Sequence, residues 1–96
     1  MKNKQLYDEM VEILQSIGYR VRKDSGSFNG GACFLKDEKI IVLNKILPIE
    51  AHLSILANIL YEYLDKIYIK PRVREFVEKE GNSSSNLIEI VINKSE

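Results

Sequence analysis

Residues 49–64 form the most apolar segment of the chain, and they constrain the fold more than any other feature. Pro48 suits the first turn of a helix, which we predict to run to about Leu64. At about 100° per residue, the apolar side chains cover well over half of the helix circumference. A helix with so little polar surface is normally buried on several sides. We therefore expect a long central helix, packed on a sheet and also against another helix or a second copy of the chain.

Two further segments have the spacing of amphipathic helices. The first spans Asn3 to Ile17, with Asn3 as a candidate N-cap and Gly18 as a left-handed stop. Its apolar face is formed by Leu6, Met10, Ile13, Leu14 and Ile17. The second spans Pro71 to Glu80 and is ended by Gly81. Its inner stripe is formed by Val73, Phe76 and Val77.

Three short strands are predicted between the first two helices, at Tyr19–Asp24, Ala32–Leu35 and Lys39–Leu43. Their short connections favour an antiparallel meander. The third strand has no polar face, so we expect it to be central or covered on both sides. A further extended segment, Leu87 to Ile92, must pair with the sheet edge or with a neighbouring subunit. The predicted fold class is α+β: a three-stranded antiparallel meander packed with an N-terminal helix, a long buried central helix and a short C-terminal helix.

The chain of 96 residues is long enough for one domain. We predict a single α+β domain over residues 1–80. Residues 81–86 are rich in serine and asparagine and read as a flexible linker. Residues 87–96 are then a C-terminal tail that carries the extended segment.

Charge and cysteine content argue against several classes of function. Fourteen Lys and Arg balance fourteen Asp and Glu, so there is no long-range attraction to nucleic acid or anionic lipid and little resistance to self-association. The single cysteine forms neither an internal disulfide nor a Cys-based zinc site. No apolar run approaches the ~20 residues of a membrane span, and residues 1–5 lack a signal-peptide core. We expect a cytoplasmic, bacterial-type protein, a homodimer, with no membrane partner, no metal and no cofactor.

The polar seam of the central helix is the main candidate site. Ser54, Asn58 and Glu62 recur at helical spacing, and Asp65 follows. Two carboxylates there could bind a cation or carry out acid–base chemistry, although such a seam is more often a solvent-facing stripe. His52 could act as a single acid or base, but one histidine cannot build the usual catalytic zinc site.

Two weaker candidates involve the strands. Cys33 could be a nucleophile with His52 as its base, but the two form no motif, and a cysteine in mid-strand usually behaves as a small buried hydrophobe. The glycine-rich stretch 25–31 lacks the spacing of a phosphate-binding loop, so we predict a hairpin connection. Phe28 at its tip either marks a contact surface or folds back onto the core, and we favour the second.

A third candidate is an anion-binding cluster of arginines. Arg72 and Arg74 lie near the start of the last helix, and Arg20 and Arg22 would join them if the first strand lies close. Alternating charges further along this helix favour a solvated face instead. We do not expect nucleic acid to be the main partner.

Several stretches resemble a family of small bacterial proteins of uncharacterised activity. They are Gly30–Leu35, Ile40–Lys45, Leu47-Pro48, Leu56-Ala57 and Tyr68–Phe76. The resemblance spans Tyr19 to about Glu80. It implies a shared fold and no particular activity.

More distantly, the order of elements resembles the minimal zincin core of ImmA/IrrE-type metallopeptidases. Their helix carries His-Glu-x-x-His after a Leu-Ala pair. Here Asn58 and Glu62 stand where the two histidines would be, and Ile59 stands where the catalytic glutamate would be. Zinc hydrolysis needs three protein ligands and a base that activates water. The resemblance therefore implies a non-catalytic relative.

These features favour a non-enzymatic interaction module that self-associates, an expectation that rests on the apolar central helix and the C-terminal extended segment. The alternative is a metal- or ligand-binding protein, or an enzyme, that uses the face of Ser54, Asn58, Glu62 and Asp65. The third hypothesis is binding of RNA or phosphate through the four arginines.

Overall fold

The computed structural model describes residues 2–25, 32–35, 38–81 and 88–91. Within these residues the chain forms three helices and four strands. In chain order they are α1 (Asn3–Ser16), β1 (Arg20–Asp24), β2 (Ala32–Leu35), β3 (Ile40–Asn44), α2 (Ile49–Tyr61), α3 (Pro71–Glu80) and β4 (Ile88–Val91). Each lies within a few residues of the segment that the sequence predicts.

The strands form one mixed sheet in the order β1-β3-β2-β4. β2 and β3 pair antiparallel, with Cys33 opposite Val42, whereas β1 runs parallel to β3, with Arg22 opposite Val42. β4 runs parallel to β2, with Ile88 opposite Ala32. The predicted three-stranded antiparallel meander is therefore wrong, because β1 pairs with β3 and not with β2.

The polarity of the strands explains this order. A meander would place β3 at an edge, yet Ile41, Val42 and Leu43 are all buried. The mixed sheet gives β3 a neighbour on each side and leaves the charged β1 at the edge, where a strand exposes one row of backbone groups to water. The prediction that β3 is central or covered on both sides is confirmed in its first form, because β3 lies between β1 and β2.

The C-terminal extended segment pairs within its own chain. β4 adds to the sheet beside β2, at the opposite edge from β1. A neighbouring subunit is therefore not needed to pair this strand. Residues 82–86 of the predicted linker lie outside the described residues.

The core is built around α2, which packs against both α1 and α3. Its buried residues are His52, Leu53, Ile55, Leu56, Ala57, Ile59 and Leu60. They join a single cluster with Leu6, Met10, Leu14, Tyr19, Ile41, Leu43, Ile69, Val73 and Val77 from the rest of the chain. The expectation that the apolar segment is buried on several sides is confirmed, and its cover comes from the same chain.

Two glycines have different structural roles. Gly18, after α1, has a φ of 99°, in the left-handed region where a side chain is strained, as the sequence predicts. Gly81, after α3, has a right-handed φ of −70°. Gly81 is buried, and the Ala57 carbonyl oxygen lies 2.7 Å from the position that a Cβ would occupy. Its missing side chain therefore allows the end of α3 to approach α2.

Asn3 does not cap α1, because it is the first helical residue. Lys2 holds the N-cap position and makes no side-chain capping hydrogen bond.

None of the helices in the described part of the chain combines the length and apolar character that crossing a bilayer requires.

Candidate functional site

The polar seam of α2 divides into two environments. The Ser54 hydroxyl donates to Glu80 Oε1 at 3.2 Å, and Asn58 Nδ2 donates to the Ser54 carbonyl oxygen at 2.8 Å. Glu62 is exposed just after the helix, and the Asp65 side chain is 98% exposed, 3.9 Å from Arg74 Nη2. Ser54 therefore joins α2 to α3, Asn58 is bonded within α2, and the two carboxylates lie in the connection after α2.

His52 is a structural residue in the first turn of α2. Its side chain is 2% exposed, and its Nε2 lies 2.8 Å from the Asn44 carbonyl oxygen, where it donates a hydrogen bond. It thereby joins the end of β3 to the start of α2. About 15 Å of helix separates His52 from Glu62, so these residues do not share a site.

The other ring nitrogen of His52 faces the core. Nδ1 is buried and has no hydrogen-bond partner among the described residues. The Tyr7 ring is its aromatic neighbour, with 6.4 Å between ring centroids, and Lys23 Nζ lies 4.7 Å from the centre of the Tyr7 ring.

The remaining titratable candidates do not converge either. Across the described residues, no three His, Cys, Asp or Glu side chains lie close enough to hold a metal ion together. Cys33 lies in β2, a strand that pairs with β3 and β4. The side chain of Cys33 and the stretch 26–31, with Phe28, lie outside what the structure describes.

The four arginines occupy two separate elements. Arg20 and Arg22 are exposed on β1. On α3, the Arg74 guanidinium donates to the Leu64 carbonyl oxygen at 2.9 Å, and its Nε lies 3.2 Å from Glu78 Oε2. Arg74 is therefore neutralised by carboxylates and engaged by the backbone of its own chain, which leaves little capacity for an external anion.

Arg72 borders a shallow groove between α1 and α3. The groove has a volume of about 480 Å³ and is lined by Leu6, Arg72, Glu75, Phe76 and Lys79. Its lining carries one carboxylate and two cations on a partly apolar floor. This mixture defines no particular ligand chemistry.

A tyrosine-rich region at the carboxyl end of α2 is a feature that the sequence reasoning missed. The hydroxyls of Tyr19 and Tyr63 are 2.7 Å apart and their rings meet edge to face. Burial, followed by the hydrogen bond with Tyr63, raises the pKa of Tyr19 well above its usual value. The repeated tyrosines at 61, 63 and 68 were the signal that could have identified this region.

Two tyrosines of this region face water. Tyr68 is 79% exposed and Tyr61 is 38% exposed. Tyr61 is the last residue of α2, and Tyr68 lies in the connection to α3, which continues from α2 in a series of turns. Ile46, near the opposite end of α2, is also 79% exposed. These three side chains are the large hydrophobic residues exposed in the described part of the chain.

No protein family model matches this chain, and searches of characterised proteins and of solved structures find no significant similarity.

Proposed function

We propose that the protein is a non-enzymatic interaction module that self-associates through the exposed surface between α2 and α3. We call this the tyrosine surface, and define it by Tyr61, Glu62, Asp65, Lys66 and Tyr68. The observation that carries the proposal is the 79% exposure of Tyr68, in the connection between α2 and α3. Tyrosine is enriched in protein interfaces because it combines a large apolar ring with a polar hydroxyl.

The charges of the tyrosine surface suit a second copy of the same chain. Glu62, Asp65 and Lys66 are all exposed, so both signs of charge are present along the connection after α2. A two-fold symmetric contact needs such a self-complementary surface, because an acidic residue of one copy meets a basic residue of the other and the reverse contact also forms. The equal numbers of acidic and basic residues in the whole chain also remove general repulsion between copies.

Neither the central helix nor the C-terminal strand needs a second copy of the chain. The central helix is covered by α1, α3 and the sheet, and the C-terminal strand pairs with β2. The tyrosine surface is therefore the part of the molecule through which we propose that two copies associate. A cytoplasmic location, consistent with the single cysteine, is part of the same proposal.

A zincin-like origin is compatible with this proposal but does not carry it. At the positions that would bind metal, Asn58 is bonded to the Ser54 carbonyl oxygen and Glu62 is exposed after the helix. Ile59, at the position of the general base, is buried in the core. These residues support a non-catalytic role for the helix.

Light scattering coupled to size-exclusion chromatography tests the proposal over a range from micromolar to millimolar protein. We expect the mass to rise from one chain toward two as the concentration increases. Tyr68→Ser should raise the dimer dissociation constant about tenfold, since truncating a central interface aromatic commonly costs ~1.4 kcal/mol or more.

Ile46→Ser is the matched control, because Ile46 has the same exposure as Tyr68 and lies near the other end of α2. The control should leave the dissociation constant unchanged. A mass of one chain at every concentration would refute the proposal, and so would an equal weakening by both substitutions.

A further inference from the structure

β1 is an edge strand whose outward backbone groups can be assigned. Arg20 N–H donates to the Lys39 carbonyl oxygen, and Lys45 N–H donates to the Asp24 carbonyl oxygen, each at 2.8 Å. Arg20 and Asp24 therefore direct their backbone groups toward β3. The backbone N–H and C=O groups of successive residues point to opposite sides of a strand. Those of Arg22 therefore also point to β3, while those of Val21 and Lys23 point to the free edge.

The free edge of β1 carries two backbone donors and two acceptors. They are the N–H and C=O groups of Val21 and Lys23. The sheet order ends at β1, and among the described residues only β3 pairs with it. A row of this kind is the element to which an extended peptide adds as a further strand.

The side chains along this edge are mainly cationic. Arg20, Arg22 and Lys23 are exposed, against the single carboxylate of Asp24. Arg20 and Arg22 alternate with Val21, so they lie on the same face of the strand. Neither arginine has an ion-pair partner among the described residues. Both are therefore available to a ligand.

We infer that the free edge of β1 binds an extended acidic peptide segment, which adds to the sheet as a fifth strand and pairs its carboxylates with Arg20 and Arg22. The partner is a segment with acidic residues at alternate positions, because such residues share one face of a strand and would stand beside the two arginines. This binding site is separate from the tyrosine surface and does not depend on self-association.

Charge selects this occupant over a second copy of the chain. In two antiparallel β1 strands aligned so that Val21 of one pairs with Lys23 of the other, the Arg22 side chains of both copies lie opposite each other and Arg20 lies opposite Asp24. A second copy therefore leaves one like-charge pair, whereas an acidic peptide pairs a carboxylate with each arginine. An acidic peptide has the opposite sign and also matches the backbone hydrogen-bonding groups of the edge. A nucleic acid satisfies the arginines but offers no peptide backbone to Val21 and Lys23.

Amide hydrogen exchange followed by NMR tests the inference on the intact chain. The probe is a blocked peptide that alternates glutamate with valine, and the control peptide has lysine in place of glutamate. In the free protein, the Val21 and Lys23 amides should exchange faster than those of Arg22 and Asp24. The glutamate peptide should slow exchange at Val21 and Lys23 about tenfold or more, while the lysine peptide should not.

Charge reversal tests the role of the side chains. The double variant Arg20→Glu, Arg22→Glu should weaken binding of the glutamate peptide about tenfold, because two attractive cross-strand pairs become repulsive. Arg72→Glu is the control, since it reverses one exposed arginine on α3. The control should bind the peptide with unchanged affinity.

A proline substitution tests the role of the backbone. Lys23→Pro removes an outward N–H that β3 does not use, and proline is tolerated at such edge positions. Lys23→Gln removes the same side-chain charge but keeps the N–H. We expect the proline variant to lose peptide binding and the glutamine variant to retain most of it. If the proline variant does not fold, charge reversal and hydrogen exchange still decide the question.

Three results would overturn the inference. The first is unchanged exchange at Val21 and Lys23 in the presence of saturating peptide. The second is equal binding of the glutamate and lysine peptides. The third is tighter binding of a single-stranded oligonucleotide than of the glutamate peptide at equal salt concentration, which would identify the arginines as a nucleic-acid contact.

Discussion

Replacing Gly81 with alanine tests the packing of α3 against α2. An added Cβ would lie 2.6 Å from the Val77 carbonyl oxygen, 2.7 Å from the Ala57 carbonyl oxygen and 2.8 Å from Tyr61 Cβ. Two of these atoms belong to α2, so one helix would have to move away from the other. Backbone strain does not enter, because the φ of −70° suits alanine as well as glycine.

The expected cost follows from two opposing effects. Overpacking of this kind costs roughly 1–3 kcal/mol. Alanine recovers ~0.4–1 kcal/mol by restricting the unfolded chain. The net loss in the free energy of unfolding should be about 1–2 kcal/mol, which in a domain of this size lowers the Tm by about 5–15 °C. Urea denaturation followed by circular dichroism measures the loss in the free energy of unfolding, and thermal denaturation measures the shift in Tm.

Gly18→Ala provides the contrast. At Gly18 a Cβ would meet only the flexible Lys39 side chain at 3.6 Å, but the φ of 99° strains any residue with a side chain. The expected loss is ~1 kcal/mol, from backbone strain alone. Stability of Gly81→Ala equal to or above that of the wild type would refute the close approach between α3 and α2.

Three further predictions concern the core and its polar groups. Leu56→Ala, at a fully buried position on α2, should lower the free energy of unfolding by about 2–5 kcal/mol in urea denaturation. His52→Leu removes the hydrogen bond to the Asn44 carbonyl oxygen and should cost about 1 kcal/mol in the same assay, whereas unchanged stability would show that the bond contributes nothing. The fold raises the pKa of Tyr19 and so favours its neutral phenol. The contribution of Tyr19 to the free energy of unfolding is therefore fully present below pH ~10 and is lost as the pH rises above that value. Tyr19→Phe should reduce that alkaline loss, and an identical pH dependence in both proteins would contradict the assigned burial.

Local patterns in the sequence were sufficient to predict the helices. The apolar spacing of Leu6, Met10 and Leu14 predicts the buried face of α1, and Pro71 marks the start of α3. These signals depend on residues within one or two turns of each other. The pattern of α2 also predicts its enclosure, but the covering elements could not be chosen, because one chain or two would bury it equally well.

Strand pairing depends on contacts that are distant in sequence, and there the local reasoning failed. The assumption that neighbouring strands pair gave the meander, whereas the apolar β3 takes a neighbour on each side and leaves the charged β1 outside. The polar seam was a poor guide to the candidate site for a related reason. Spacing alone does not reveal that Ser54 and Asn58 are used in internal hydrogen bonds.

The exposed surfaces were also beyond a local prediction. Tyr63 is hydrogen-bonded to Tyr19, while Tyr68 faces water, and nothing in their immediate sequence separates these two roles. The same holds for Gly81, which resembles an ordinary helix stop and instead permits a close helix contact. The exposure of each tyrosine and the role of Gly81 depend on which helix or strand packs against that residue in the fold.

Amide hydrogen exchange of α2 at low protein concentration is the most direct test of the central claim, that this helix is enclosed by its own chain. In the monomer, the amides of Ile55, Leu56 and Leu60 should exchange only through global unfolding, at a rate that does not change with protein concentration. Rapid exchange of these amides in the monomer, with protection that develops only as the chains associate, would contradict the account.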